Sequence, residues 1–431
     1  MSLFLSRLNQ KFKTKYKVLD ELLLFCSAFF LRAFYVSRNH YLTGDSHDYL
    51  TLAKNLAFHH VFSLDRSESA LAPTAFRPPL YPVLISLFWQ HEEVPLTAVL
   101  YLQAMLGALT VVIAYRLAKR HFGNRAALIA AVAASIEPFT IHYTATIMTE
   151  TLFTFLVVSA VCLLDYKRFV FAGFVFGLAA LTRPTILPFL ILLPLLSILP
   201  LWSAYRKAFL TVLLIASATI SVWTMRNIAT FNQIIPISSF GFGMNLLCGT
   251  IDVPMIADEG WDVVYKDEAI RQMHRDLQNG VTETEVDRKL FREGLQRIVS
   301  NPADWLKVRA KQYTRLYIDS APYILGRNNI RFEEAIRDRQ WFFIVYKLLL
   351  TSRIFIFAAL FFVGIFLARD RTEELSNIIL FPIFLMLIHI PLWTESRYLL
   401  PIAPFVCIMA AYTLNRFLTK LGFSEFSKSK I

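Results

Sequence analysis

The first residues that could carry out chemistry are two aspartates and an arginine within residues 43–82, which begin TGDSHDYLTLAKNL and end AFRPPLYP. Asp45 and Asp48 stand beside a helix-like run, and Arg77 precedes two prolines. Carboxylates act as general bases, and arginine binds phosphate groups through paired hydrogen bonds. A polar segment of this kind, in a chain that is otherwise mostly apolar, is the first candidate for an active site.

The elements that must position these residues are membrane helices. The chain has 431 residues, 56% hydrophobic and 18% charged, with a mean hydropathy of +0.48. Soluble domains average about 45–50% apolar and about 25% charged residues. Repeated apolar runs of about 20 residues match the thickness of a bilayer, in which helices satisfy their own backbone groups. The sequence therefore predicts an all-α, polytopic membrane protein.

The net charge of +12 does not indicate nucleic-acid binding. The basic residues lie mainly in short loops between apolar runs, where they orient a membrane protein, and no compact basic domain is evident. The four cysteines have neither metal-like nor disulfide-like spacing. We therefore expect the bilayer, and no nucleic acid, among the partners.

About ten apolar segments are candidates for membrane spans: 18–37, 95–118, 126–141, 150–164, 169–182, 186–202, 208–228, 341–367, 378–393 and 398–417. Five basic residues precede the first segment, which places the amino terminus in the cytoplasm. Residues 40–94 then lie outside, with a short amphipathic helix at 48–59 in the membrane interface. The carboxyl terminus, also basic, returns to the cytoplasm.

The tract 230–340 has the composition of a soluble domain and is expected to be a small, mainly helical extracytoplasmic domain. Apolar residues at three- and four-residue spacing predict amphipathic helices at 287–299 and 303–318. The predicted organisation is therefore an amino-terminal membrane module (1–229) with a first outer loop (40–94), the extracytoplasmic domain, and a carboxyl-terminal membrane module (341–431).

This topology collects the ionisable residues of the membrane boundary on the outer side. Besides the first loop, they are Glu150, Arg183, Arg226, Glu395 and Arg397. Ionisable groups at membrane depth are costly and are therefore candidates for function. Structural roles are the alternative: the arginines could extend to the lipid headgroups, and Glu150 could only pair with one of them.

The first loop also has structural alternatives. Asp45 and Asp48 could serve as amino-terminal caps of the interfacial helix. Three histidines there could join the aspartates in a metal site, although plain polar roles are more frequent for interfacial histidines; they are His47, His59 and His60.

Several motifs, in order, resemble the GT-C membrane glycosyltransferases, in particular the family 39 branch that includes protein mannosyltransferases and the lipid A aminoarabinose transferase. They are Asp45 with Tyr49 and Ala53, then RPPLYP at 77–82, TE at 149–150, LTRP at 181–184, WTMRN at 223–227 and RYLLP at 397–401. The resemblance extends over residues 18–418. It implies a GT-C fold of about ten membrane helices with interfacial helices in the first loop.

The resemblance also implies an activity, which is inverting transfer of a sugar from a polyprenyl-phosphate donor to a lipid, glycan or protein acceptor. Asp45 is then the expected catalytic base, and Glu150 the second catalytic carboxylate, which positions the acceptor or an arginine. The expected substrate-binding residues are Asp48, Tyr49, Arg77, Tyr81, Arg183, Arg226, Arg397 and Tyr398. Arg183 and Arg397 are favoured as ligands of the leaving phosphate.

Two departures from the family matter. Gly44-Asp45-Ser46 replaces the paired acidic residues of some relatives, so no cofactor is assigned, and a divalent metal at Asp45 stays open. The short extracytoplasmic tract leaves acceptor recognition open as well.

The expected location is the plasma (inner) membrane, with the active site on its extracytoplasmic side. Two other classes of function compete. A sugar-lipid transporter or flippase would show paired repeats or charges deep in several spans. A non-catalytic assembly partner would not need the converging carboxylates and arginines.

Overall fold

The chain folds into helices joined by short loops and 3-10 turns, and the computed structural model describes residues 2–67, 71–89, 94–253, 257–314 and 336–423. The first nine α-helices are α1 (Ser2–Arg38), α2 (Gly44–His59), α3 (Leu80–Ser86), α4 (Leu96–Ser135), α5 (Pro138–Thr144), α6 (Glu150–Asp165), α7 (Phe169–Thr182), α8 (Leu187–Leu196) and α9 (Arg206–Phe231). The next five are α10 (Phe242–Cys248), α11 (Ala257–Lys266), α12 (Glu268–Gln278), α13 (Glu283–Ser300) and α14 (Pro302–Tyr313). The last three are α15 (Trp341–Leu367), α16 (Thr372–Ile388) and α17 (Ala403–Lys420). Within these ranges the predicted all-α class is confirmed.

Among the described residues, three helical stretches are long and apolar enough to cross a membrane: Leu96–Ser135, Trp202–Phe231 and Ser396–Lys420. Shorter apolar helices lie at Phe169–Thr182, Pro184–Leu196 and Phe355–Leu367. The chain is thus a helical membrane protein, whereas the number of ten spans stays a prediction.

Helix α4 combines two predicted spans, 95–118 and 126–141. It is broken at Gly123, whose φ of +83° lies in the left-handed region that glycine tolerates best. Its second half ends at Ser135 instead of residue 141, because Pro138 begins the separate helix α5.

Small residues allow the membrane helices to pack closely. Gly173 and Gly177 of α7 face α9, where an added Cβ would lie 2.8 Å from the Val212 carbonyl oxygen and 2.6 Å from the Thr219 Cβ, respectively. Small residues at such contacts let helix backbones approach in a membrane. The packed bundle gives the loops at its end a rigid base.

Helices α10–α14, called here the helical domain, enclose a second core around Leu247, Val264 and Leu290. Gly243 of α10 meets α13 so closely that an added Cβ would lie 1.9 Å from the Asp287 carbonyl oxygen. The predicted amphipathic helices appear as α13 and α14, and residues 315–318 of the second prediction lie outside the described residues.

The first loop, residues 39–95, begins with α2, which starts at residue 44 and not at residue 48 as predicted. Its amino-terminal cap is Thr43, whose hydroxyl accepts from the Ser46 N–H while the Ser46 hydroxyl accepts from the Thr43 N–H. This reciprocal pair is a capping box. Neither Asp45 nor Asp48 is the cap, so the structural alternative proposed for them is wrong.

The first loop and the helical domain lie on the same side of the bundle and are in contact. Ser239 donates its backbone N–H to the Ala75 carbonyl at 2.8 Å. The Thr74 hydroxyl donates to Glu283 of α13 at 2.7 Å. The loop is therefore held between the bundle and the domain.

Candidate functional site

Four carboxylates and three arginines from separate parts of the chain meet where the first loop rests on the bundle. This charged cluster consists of Asp45, Asp48, Arg77, Glu150, Arg183, Glu395 and Arg397. Six of the seven were predicted as site residues, and the structure brings those six together. Glu395 had been noted only as a neighbour of Arg397.

The start of α2 is tied to the segment that precedes α6, and this fixes Asp45 relative to Glu150. Tyr41 donates its N–H to the Ala145 carbonyl at 2.8 Å in an isolated parallel bridge. The Ser46 hydroxyl donates to the Ile147 carbonyl at 2.8 Å. The capping box thus anchors the base candidate as well as the helix.

Asp45 divides its two carboxylate oxygens between two arginines. Arg77 Nη2 donates to Oδ1 at 2.6 Å, and Arg397 Nη1 donates to Oδ2 at 3.0 Å. Burial acts to raise the pKa of Asp45, but the charges and hydrogen bonds of Arg397 and Arg77 outweigh it and hold the pKa below its usual range. Asp45 is therefore ionised, and in this state its basicity is low.

Arg77 is held from two sides. Its Nε and Nη2 donate to Asp48 Oδ2 at 3.1 and 2.7 Å, in addition to the bond to Asp45. Its guanidinium carbon lies 5.6 Å from the centre of the Tyr49 ring and 5.2 Å from that of Phe76. Asp48 thus serves mainly to hold Arg77.

Glu150 is the first residue of α6, where a negative charge is favoured by the helix dipole. Its side chain is 0% exposed. Arg183 Nη1 donates to Oε1 at 2.7 Å, and Arg397 Nη1 lies 3.9 Å from the same oxygen. Among the described residues, Glu150 Oε2 has no hydrogen-bond partner.

Local sequence places the last two arginines. Arg183 ends α7 in an extended conformation, as expected for a residue before proline. Arg397 follows the extended Glu395 and lies in the 3-10 segment Ser396–Ile402. The centre of the Tyr398 ring lies 5.3 Å from the Arg183 guanidinium carbon and 5.5 Å from that of Arg397. This ring therefore contacts both cations.

The two predicted tyrosines of the first loop form the floor below Arg77. Tyr49 and Tyr81 pack edge to face with ring centres 5.2 Å apart, and the Tyr81 hydroxyl donates to Gln103 at 2.6 Å. Burial raises the pKa of Tyr81, so its hydroxyl keeps its proton. Tyr81 is 0% exposed, so it supports the site from below.

Arg226 lies among a different set of contacts. It donates to the Thr74 carbonyl at 2.9 Å, and its guanidinium carbon lies 4.7 Å from the centre of the Trp223 ring. It therefore secures the first loop against α9. The sequence pattern WTMRN could not distinguish this anchoring role from a role in the charged cluster.

The three histidines of the first loop, all among the described residues, are not grouped with the aspartates as a set of metal ligands. Within the part of the chain that the structure describes, no three His, Cys, Asp or Glu side chains are arranged to hold a metal ion. His47 is exposed, and His60 ends α2 with a φ of +56°. Both oxygens of Asp45 are engaged by arginines instead.

Every arginine of the charged cluster already has a carboxylate partner, and the carboxylates outnumber the arginines by one. A phosphate group that binds these arginines therefore competes with a carboxylate for them. Such an exchange is chemically reasonable, because guanidinium groups bind phosphate and carboxylate in similar two-point geometry. The arrangement places carboxylates, a side-chain type that can act as a base, beside cations of the type that binds a phosphate ester.

Comparison with solved structures identifies the architecture. The archaeal oligosaccharyltransferase AglB from Archaeoglobus fulgidus, in complex with an inhibitory peptide and a dolichol-phosphate, is similar with a TM-score of 0.52 and 14% identity over 97% of this chain and 53% of that chain. The apo form of the Archaeoglobus fulgidus oligosaccharyltransferase gives 0.55 and 15% over 94% and 51%. This chain has the GT-C fold.

The chain spans about half the length of those oligosaccharyltransferases. ArnT from Cupriavidus metallidurans bound to undecaprenyl phosphate is a weaker likeness, with a TM-score of 0.40 and 13% identity over 92% of this chain and 77% of that chain. Residues 76–225 match the family described as dolichyl-phosphate-mannose-protein mannosyltransferase. No curated protein matches the sequence. The segment that matches this family model begins beside Arg77 and ends in α9.

Proposed function

We propose that this GT-C protein transfers a sugar from a polyprenyl-phosphate-linked donor to an acceptor at the charged cluster. The observation that carries the proposal is the division of Asp45 between Arg77 and Arg397, with Glu150 and Arg183 beside them. A base for the acceptor and cations for the leaving phosphate thus lie within one set of contacts. The family match and the dolichol-phosphate bound to the similar AglB support the same donor class.

The proposed reaction begins with an exchange of partners. The donor phosphate takes Arg397 and Arg183 as ligands, and Asp45 loses part of the positive charge that lowers its pKa. Asp45 then accepts the proton of the acceptor as the acceptor attacks the anomeric carbon. The bond from that carbon to the phosphate oxygen breaks, and the arginines stabilise the charge that develops on the phosphate.

An apolar groove of about 690 Å³ begins beside this cluster and supports a lipid-linked donor. It runs between α4, α15 and α17, and its lining includes Leu399 and Leu400, which follow Arg397 directly. Further down it is lined by Ile129, Phe357 and Val406. A hydrocarbon chain in this groove would leave its phosphate at the arginines.

In this proposal the charged cluster lies on the extracytoplasmic side of the plasma membrane, with both termini in the cytoplasm. The acceptor is a lipid, a glycan or a protein that approaches from that side. A cysteine at the exposed position His47, in a Cys26→Ser background, tests the orientation. An impermeant maleimide should label it in intact cells, and labelling only after lysis would reverse the proposed topology.

The activity is tested with purified protein, labelled polyprenyl-phosphate sugars and a membrane extract. The component that gains label identifies donor and acceptor together. Movement of the labelled lipid across vesicles without sugar transfer would support a flippase instead. The Asp45→Asn variant should lose about 10²- to 10⁴-fold in transfer rate, the usual contribution of a general base.

The matched control is Asp252→Asn, which also removes an aspartate paired with a basic residue, here Lys311 at 2.6 Å. Asp252 lies beside the helical domain and its side chain is 58% exposed. We expect wild-type transfer from this variant. Full transfer by a folded, membrane-inserted Asp45→Asn variant would contradict the assignment of the base.

A further inference from the structure

Glu395 has no assigned role, yet it is the shortest charged contact of Arg397. Its Oε2 lies 2.5 Å from Arg397 Nε, whereas Asp45 Oδ2 lies 3.0 Å from Nη1. The side chains of both Glu395 and Arg397 are 17% exposed. The Glu395 contact is an ion pair without hydrogen-bond geometry, whereas Asp45 accepts a hydrogen bond from Nη1. One guanidinium therefore lies between two carboxylates, on different edges of its plane.

The position of Glu395 is determined by the helical domain. Trp393 Nε1 donates to Glu395 Oε1 at 2.9 Å, and the Trp393 side chain is 1% exposed in the core of that domain. The Trp393 ring lies 5.1 Å from that of Trp261, and its backbone N–H donates to the Asn245 carbonyl at 2.8 Å. A continuous set of contacts thus links the helical domain to Arg397.

The two carboxylates that contact Arg397 differ in how firmly other residues hold them in place. Glu395 is held by a second donor, Trp393, from a packed core. Asp45 is held by Arg77, which has Asp48 as another partner. An anion that approaches Arg397 can therefore displace Asp45 more easily than Glu395.

We propose that Glu395 is a positioning residue, which holds Arg397 at its Nε edge so that the donor phosphate displaces Asp45 and frees it as the base. This inference rests on the proposed function. It assigns Trp393 as the residue through which the helical domain sets the position of Glu395. It also explains why the cluster contains one carboxylate more than it has arginines.

The test is Glu395→Gln, which keeps the shape of the side chain and an acceptor for Trp393 but removes the charge. Without the Glu395 charge, Arg397 carries more net positive charge and attracts phosphate more strongly. It is also no longer held at its Nε edge, so it can keep Asp45 paired while it binds the phosphate. We expect kcat to fall at least 10-fold, while the Kd for polyprenyl phosphate without sugar falls at least 3-fold. Structural damage would lower kcat and also weaken phosphate binding. A lower kcat together with tighter binding of polyprenyl phosphate therefore identifies a positioning role.

Two further variants complete the design. Trp393→Phe keeps the Glu395 charge but removes the hydrogen bond, so kcat should fall with an unchanged Kd for polyprenyl phosphate. Glu293→Gln is the matched control, because Glu293 pairs with Arg297 Nε at 2.8 Å in the helical domain and is not a member of the charged cluster. It should leave kcat and Kd as in the wild type.

The outcomes separate this inference from the proposed function. If the wild type transfers sugar and Glu395→Gln changes neither kcat nor Kd, the positioning role is overturned. If the wild type transfers no sugar from any donor, the proposed function fails, and an equal Kd in wild type and variant overturns the positioning role as well. If Glu395→Gln does not fold, Glu395→Asp is the test, because it keeps the charge but shortens the side chain. The kcat of Glu395→Asp should fall while its Kd for polyprenyl phosphate is unchanged. A wild-type kcat in this variant would overturn the inference.

Discussion

The buried pair between Glu150 and Arg183 makes the strongest prediction about stability. Glu150 is 0% exposed, and Arg183 Nη1, at 2.7 Å, is its only hydrogen-bond donor among the described side chains. Arg397 Nη1, at 3.9 Å, contributes charge but no hydrogen bond. Arg183→Met keeps an apolar stem near Phe153 and Tyr398 but removes the charge. We expect a large loss of stability because a buried carboxylate is left without its partner.

The magnitude follows from the distances. At an effective dielectric constant of about 20, the attraction is about 6 kcal/mol at the 2.7 Å of Arg183 and about 4 kcal/mol at the 3.9 Å of Arg397. Arg397 therefore compensates for part of the loss. Breaking a buried pair on one side costs about 3–5 kcal/mol, and we expect the lower end, about 3 kcal/mol.

The assay is reversible unfolding of the purified protein in mixed micelles, followed by circular dichroism as the denaturing detergent is increased. The double variant Arg183→Met/Glu150→Leu removes both charges, and its free energy of unfolding should return to within about 1 kcal/mol of the wild type. Lys307→Met, at an exposed pair with Asp304, is the control and should leave the midpoint unchanged. A double variant as unstable as the single one would refute the reasoning.

Three further predictions concern other parts of the site and its support. Burial acts to raise the pKa of Asp45, but Arg397 and Arg77 lower it more. The ionised form of Asp45 and the stability that it contributes should therefore be fully present above about pH 4 and lost only as the pH falls further. A kcat/KM profile with an acidic midpoint above pH 5 would contradict this prediction. Gly243→Ala should destabilise the helical domain, since its Cβ would lie 1.9 Å from the backbone of α13, whereas Gly44→Ala meets no atom within 4 Å and should melt like the wild type. Thr43→Ala removes the cap of α2 and should lower the free energy of unfolding by about 1 kcal/mol, measured as above; an unchanged value would show that the capping box does not hold this helix.

The membrane class and most helices follow from local patterns in the sequence. Apolar runs predicted α4, α6, α7 and α9 to within a few residues, apart from the end of α4, where a proline acts as a helix start. The amphipathic patterns predicted α13 and α14. These helices can be predicted from the sequence because the length and periodicity of an apolar segment depend only on residues that are neighbours along the chain.

The start of α2 was harder to predict, and the reason is physical. Thr, Asp and Ser are all good caps, and four such residues occur within 43–48. The choice of Thr43 depends on contacts with Ile147 and Met148, about a hundred residues away. Local preference could not decide between the candidates.

In the candidate site, too, some features follow from the local sequence and others depend on long-range contacts. Residue type and predicted topology were enough to select Asp45, Arg77, Glu150, Arg183 and Arg397, because charges at a membrane boundary are costly and few. Nothing in the local sequence separated Arg226, which anchors the first loop, from the arginines of the charged cluster. The distinction comes from the aromatic residues and the Thr74 carbonyl that surround it.

The sequence by itself determined the helical membrane class, the family resemblance and the set of charged residues, because these depend on composition and short motifs. Only the tertiary structure decided which charges are partners. It showed that Asp45 is shared by two arginines, that Glu150 belongs to Arg183, and that Glu395 connects Arg397 to the helical domain through Trp393. Pairing is decided by distances of about 3 Å between residues up to 352 positions apart, which no local pattern encodes.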